Sequence, residues 1–421
     1  MFIHLNQDLN KMKGLPGVGV PAAPLAHGSR PAIWTVKHTS ALGQYDSDVV
    51  LAARTIVHDD LAPNGDFTSS DDLLNQLHIA SVFTMLNNVH SIPTDCPTLE
   101  KSGWSGDAML AAEMFLTNFD SSDLLAKHVQ DLHDSLTDGP PAVNALDSGW
   151  GANKQADPRH SAFILIPAWI YAYRGDTRVL SDNYKGMRQY IEFELGRSST
   201  QLGDWDTPET SPLGGNPPED SPATAFLYHM MDTMSNVSNV ATVLGNTADA
   251  STFAYQAAAI KNSFNSAFLN HSTGYYTGIG DSGYRQWHNL LALAFGLTPN
   301  TTTAQVVADS VAADVTARGG HLNTRALDTK QILPMLTEHG RKDTALVLAQ
   351  QTTYPGSGYW TENGATTTWE HWLFTARSHD YWTLAPFGNL TVSWTNASGT
   401  LSLNVGIPVG VTATVSFTAG A

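Results

Sequence analysis

The sequence predicts a mainly α chain folded as an (α/α)6 barrel, a toroid of six helical hairpins. A short strand segment precedes it and a small, partial C-terminal β-sandwich or sheet follows. Three observations predict this. From Ser69 onward apolar residues recur at helical spacing. Several of the resulting helices meet in pairs at short glycine-containing turns. After about residue 385 the pattern changes to short alternating β-branched runs separated by turn residues.

In chain order, residues 1–47 are rich in Gly, Pro and Ala without periodicity and read as a disordered or extended leader. Residues 48–68 read as a residual strand and linker of a β-rich domain. Asp48–His58 is β-branched, and since one strand cannot stand alone it needs a partner elsewhere. The barrel is expected over 69–385. Ser70 or Asp71 can cap a first helix whose stripe includes Leu73, Leu74, Leu77, Val82, Phe83, Leu86 and Val89. Further helices are expected near 107–118, 121–137, 158–174, 177–196, 222–244, 248–269, 284–296, 302–317, 326–338 and 341–352, with a twelfth beginning near Thr368. Gly175, Gly245 and Gly340 each close one helix just before the next begins, the αα-hairpin signature. Longer loops at 145–157, 199–221 and 354–367 hold Trp150, Trp205 and Trp360. Loops of that length in a helical domain usually carry function. Residues 386–421 form the partial β-domain, with strands near 390–394, 401–405 and 411–417.

Composition bounds the chemistry. A net charge of −17 argues against nucleic acid as a partner, since that needs a basic footprint. No run approaches the roughly 20 apolar residues that span a bilayer, and Met1–Lys13 has no apolar core of the kind that marks a secretory signal. Compartment and oligomeric state stay open. The lone Cys96 rules out an intrachain disulfide and leaves no thiolate cluster for a structural zinc. With no His-Glu-x-x-His, phosphate-cradling glycine loop or EF-hand spacing in the sequence, neither metal nor cofactor is expected.

The loop from Thr94 to Asp107 is the most informative stretch. Asp95, Glu100 and Asp107 fall within thirteen residues, with Trp104 between two glycines. Carboxylates gathered this way need polar partners, because each pays a desolvation penalty and they repel one another. A sugar, with several hydroxyl donors, one bond to protonate and apolar C–H faces, suits such a cluster beside an aromatic ring. Asp107 also fits a simpler role as an anion at a helix N-terminus. Cys96 among carboxylates is a poor nucleophile.

Several segments resemble the α-L-rhamnosidases of glycoside hydrolase family 78. They are Ile56–Leu61, Gly65–Phe67, the Asp95–Asp107 loop, His321–Thr324, Leu336–Arg341, Gly358–Trp360 with Glu362–Glu370, and Ser378–Asp380. The resemblance covers roughly 48–380 and again 388–417. It implies an (α/α)6 catalytic barrel that releases terminal α-L-rhamnose from a rhamnose-containing glycoside or polysaccharide with inversion. By that likeness Glu100 matches the general acid and Glu370 the general base. Asp95 and Asp107 match carboxylates that hold sugar hydroxyls, Trp104, Trp150, Trp205 and Trp369 match the aromatic wall, and His379 matches a histidine near the sugar; Trp360 joins them as a loop tryptophan. Leu99 stands where many members carry arginine, the β-rich domains that usually precede the barrel are missing, and the chain passes quickly from Tyr381-Trp382 to the C-terminal strands. Two other readings stay open: a non-catalytic sugar-binding remnant, and an (α/α)6 hydrolase of another sugar.

Overall fold

The computed structural model describes residues 31–39, 45–54, 58–97, 100–136, 139–145, 158–197, 202, 220–235, 240–281, 283–369, 372, 391–397 and 400–406. The chain divides into two compact units. One holds residues 59–96 and 100–374, the other the segments on either side together with 97–99.

In the smaller unit, β1 (Pro31–Thr39) and β2 (Tyr45–Arg54) pair antiparallel, Trp34 opposite Leu51 and Val36 opposite Val49. The strand expected from Asp48 thus finds its partner within the stretch read as leader: Ile33, Trp34, Thr35 and Val36 are β-branched or aromatic, with Trp34 and Val36 alternating with Thr35 and Lys37, a strand signal that the Gly- and Pro-rich composition around it masked. Two further strands, Thr391–Ala397 and Thr400–Gly406, form a second hairpin close to the predicted positions. The expected strand at 411–417 lies outside the described residues.

The larger unit is the helical body. It begins with α1 (Asp72–Asn87), and of the two candidate caps Asp71 does the work: its side chain accepts from Leu73 N at 2.9 Å and Leu74 N at 3.2 Å. A two-residue strand, β3 (Gly103–Trp104), leads into α2 (Ser105–Asn118) and α3 (Ser122–Asp134); β4 (Asn144–Ala145) pairs back on β3. A 3₁₀ turn at Pro158–Ser161 opens α4 (Ala162–Arg174), followed by α5 (Arg178–Arg197), α6 (Asp220–Ser235), α7 (Val240–Val243) and α8 (Thr247–Phe268). Then come α9 (Gln286–Ala294), α10 (Thr301–Ala317), α11 (Ala326–Glu338), α12 (Lys342–Ala349) and α13 (Ser357–Glu362). The six-residue α13 occupies part of the expected loop 354–367. The twelfth helix expected from Thr368 lies almost wholly outside the described residues.

These helices separate into two layers. α2, α4, α6, α9 and α11 pack each on the next as an inner row, while α3, α5, α8, α10 and α12 lean on them from outside. Composition explains the division. Outer α10 buries a single stripe, Val307, Ala308, Val311, Ala312 and Val315, as a one-faced helix should. Inner α9 buries Gln286 through Leu293 without a break, since it has neighbours all round. A polar residue on such a helix needs a partner. Asn289 has three: its Oδ1 accepts from Tyr276 N at 2.8 Å, and its Nδ2 donates to Tyr276 O at 3.1 Å and Arg285 O at 2.8 Å.

The predicted hairpin turns are present. Gly175, Gly245 and Gly340 have φ of 71°, 77° and 76°, left-handed backbone that a Cβ would strain. Because hairpin partners run antiparallel, the inner helices all begin at one end of the body. That end carries the Asp95–Asp107 loop, which runs directly into α2.

Candidate active site

The loop hangs from the end of α1. Asn88 O accepts from Thr94 N at 2.8 Å, fixing the residue before Asp95. Asp95 and Ser102 then close the loop on each other: Asp95 N donates to Ser102 O at 3.1 Å, and Ser102 N donates to Asp95 Oδ1 at 2.9 Å. The second carboxylate oxygen, Oδ2, accepts from the Cys96 thiol at 2.9 Å, and Glu100 N donates to Cys96 Sγ at 3.2 Å. Lys101 sits at φ 55°, a conformation that costs a non-glycine residue about 1–2 kcal/mol and that the closed loop imposes. Burial, reinforced by Asp95, pushes the Cys96 thiol up, so it stays protonated and acts as a donor.

Glu100 is exposed at the tip of this loop. Its Oε2 accepts from Trp104 Nε1 at 2.7 Å, a short, charge-assisted bond when the carboxyl is ionised. Trp104 is itself held by the backbone. It pairs with Asn144 in the β3–β4 ladder while Gly103 pairs with Ala145, and a Cβ on Gly103 would come within 3.3 Å of Ala145 Cβ and O and 3.0 Å of Ile92 Cδ1. The next residue, Ser105, donates from N to Val143 O at 2.8 Å and from Oγ to Arg159 O at 3.2 Å. Gly106 admits the Arg159 side chain, whose Cδ lies 2.7 Å from where a Cβ would stand. Asp107 is exposed in the first turn of α2, where the helix dipole favours a negative charge.

The described contacts therefore bring Asp95, Glu100 and Trp104 into one assembly, with Asp107 one turn of helix further on. Trp360 and Trp369 take other partners. Trp360, expected in a loop, lies on α13 and stacks on Trp372 with ring centroids 4.7 Å apart; Trp369 is 6% exposed and meets Tyr359 edge-on at 6.3 Å. Glu370, Trp150, Trp205 and His379 lie outside the described residues. The segment leading to Glu370 is nevertheless tied to the loop's anchor. Thr368 N donates to Thr84 Oγ1 at 2.8 Å, Thr84 O accepts from Asn88 Nδ2 at 3.0 Å, and Asn88 O holds Thr94.

One feature of the site has no foretelling in the residue pattern: Cys96, read only as a poor nucleophile, is the hub joining Asp95 to Glu100. Among the described residues no group of three or more His, Cys, Asp or Glu could hold a metal ion, and no helix is long and apolar enough to cross a membrane.

The bacterial alpha-L-rhamnosidase 6 hairpin glycosidase domain model matches residues 63–386, and the bacterial alpha-L-rhamnosidase C-terminal domain model matches 378–421. The chain is 30% identical over 323 residues to an alpha-L-rhamnosidase of Streptomyces avermitilis, covering 73% of this chain and 29% of that protein. It is 28% identical over 349 residues to one of Formosa agariphila, covering 76% of this chain and 35% of the relative. It thus spans about a third of the length of these relatives. Among solved structures it resembles the alpha-L-rhamnosidase from Dictyoglumus thermophilum, with a TM-score of 0.70 and 27% identity over 84% of this chain and 45% of that one. It also resembles the S. avermitilis alpha-L-rhamnosidase complexed with L-rhamnose, with a TM-score of 0.68 and 25% identity over 84% of this chain and 38% of that one.

Proposed function

This chain belongs to the bacterial α-L-rhamnosidase six-hairpin glycosidase family, and from that premise we propose that it hydrolyses terminal, non-reducing α-L-rhamnosidic bonds with inversion, Glu100 serving as general acid and Glu370 as general base. The observation that carries the reading is the hydrogen-bonded path from Thr368 through Thr84 and Asn88 to Thr94. It joins the approaches to two glutamates that stand 270 residues apart in sequence.

In this mechanism Glu100 gives its proton to the glycosidic oxygen as the bond from that oxygen to the anomeric carbon breaks. Glu370 takes a proton from a water whose oxygen bonds to the anomeric carbon from the opposite face. Such a water needs the two carboxyls roughly 6.5–9.5 Å apart. A mobile side chain in a wet, exposed loop is a poor donor for a bond that must be protonated from one direction. The closed loop, with Asp95 and Cys96 bracing it from beneath, gives Glu100 a defined origin. Asp95 uses one lone pair of each oxygen on the loop and keeps others for a sugar hydroxyl, and Asp107 offers a second acceptor at the head of α2. Trp104, Trp150, Trp205 and His379 complete the proposed rhamnose subsite.

The test is release of rhamnose from 4-nitrophenyl α-L-rhamnopyranoside, with the first-formed anomer followed by NMR. The β anomer should appear first, and Glu100→Gln should lose about 10²–10⁴-fold in kcat. Rhamnose binding by calorimetry without turnover would instead support a non-catalytic remnant, and the α anomer appearing first would remove the water-activating role of Glu370. Turnover of another glycoside in preference would reassign the sugar.

A further inference from the structure

We propose that Trp104 is a positioning residue for the acid: its indole N–H holds one oxygen of the Glu100 carboxyl, so that the proton is carried on the other, facing the leaving group. This rests on the assignment of Glu100 as the acid and goes beyond the aromatic-wall role that the resemblance attaches to Trp104.

The argument begins with what an indole can do. Its N–H is a donor and never an acceptor. A protonated carboxyl has one hydroxyl oxygen and one carbonyl oxygen, and the carbonyl oxygen is much the stronger acceptor for a donor-only partner, so the bond favours the tautomer with the proton on the other oxygen. The indole bonds Oε2 at 2.7 Å. The proton is thereby favoured on Oε1, and the rotation that would exchange the two oxygens is blocked while the bond lasts. Serine, threonine or histidine at this position would impose no such choice, because each can also accept.

A positioning group must itself be fixed, and Trp104 is. Its backbone lies in the β3–β4 ladder opposite Asn144, the neighbouring Gly103 is pressed against Ala145 and Ile92, and Ser105 is bonded to Val143 and Arg159. Glu100 by contrast is exposed, on a backbone turned through the left-handed Lys101. The stiffer element carries the donor and the freer one carries the acid, the polarity expected of a support and its load. The backbone of Glu100 is held at both ends, N–H on Cys96 Sγ and C=O on Ser102 Oγ at 3.2 Å, so the indole bond governs the side-chain torsions that remain.

A wall and a support respond differently to the leaving group. Trp104→Phe keeps an aromatic face and deletes the N–H. A nitrophenolate departs with little help from an acid, whereas a sugar or alkyl alkoxide needs its proton. The variant should lose at least about 30-fold in kcat/KM on methyl α-L-rhamnoside and less than about 3-fold on 4-nitrophenyl α-L-rhamnoside, with the loss in kcat rather than KM. Equal losses on both substrates, or a rise in KM alone, would overturn the proposal in favour of a wall. Should Trp104→Phe fail to fold, the bond is read directly in the full chain by the indole N–H resonances. One of the eleven tryptophan signals should move upfield in Glu100→Ala, and no response from any of them would equally overturn it. If the unaltered chain turns over neither rhamnoside, the hydrolase reading fails, while the indole experiment still decides whether Trp104 holds Glu100.

Discussion

Glu194 is the carboxyl whose removal should help the protein. It lies near the end of α5, 5% exposed, and its Oε1 is fully buried without a hydrogen-bond partner among the described residues. Burial pushes it up to about 7 from an ordinary 4.5, with Arg197, three residues on, pulling only weakly the other way. An acid whose folded-state value lies above its unfolded one is penalised as pH rises. At pH 4 it is largely neutral in both states and the penalty is small. Between about 4.5 and 7 the unfolded chain gives up the proton while the folded chain keeps it, and stability drains away. Above about 7 both are ionised and the full cost is reached. At 1.4 kcal/mol per tenfold, that cost is about 3 kcal/mol. Glu194→Gln preserves shape and cannot ionise. Urea unfolding of both proteins, followed by tryptophan fluorescence from pH 4 to pH 8, should give near-coincident stabilities at pH 4 and a variant about 3 kcal/mol more stable at pH 8. Effects common to both proteins cancel in the difference. A difference that stays flat with pH, or that grows toward acid, would refute the reasoning, because it would mean that Glu194 has found a partner for its charge in the folded chain.

Two other perturbations follow from the packing. Lys330 on α11 pairs with Glu113 on α2 at 2.7 Å and lies 4.4 Å from the Trp169 ring centroid on α4, linking three inner helices; its side chain is 24% exposed and that of Glu113 30%. A double-mutant cycle of Lys330→Met and Glu113→Gln should show coupling of about 1–2 kcal/mol in thermal or urea unfolding, and strict additivity would deny the pair any role in holding the inner row together. Asn289→Leu removes all three bonds by which the amide holds Tyr276 and Arg285, leaving buried backbone groups unpaired; it should cost about 2–4 kcal/mol, and a stability within 0.5 kcal/mol of the original would show that the groups find other partners.

What was legible in the sequence was whatever is decided within a few residues. The left-handed glycines at 175, 245 and 340, the Asp71 cap and the single buried stripe of α10 are local chemistry, written in residue type and spacing. The acidic loop could be found the same way, and its likeness to a family supplied roles that spacing alone could not. The tertiary structure decided what depends on distant neighbours. It paired β2 with residues 31–39, whose strand pattern is local but whose choice of partner and register is not. It seated Trp369 against Tyr359 and Trp360 against Trp372, and it led the approach to Glu370 back to α1 through Thr84. It also set one loop bond on each oxygen of Asp95 and the Trp104 indole on Glu100. The physical reason is that periodicity reports which side of an element shuns water, whereas a hydrogen bond or a ring contact depends on where a second element arrives, and only the closed packing of the whole body determines that.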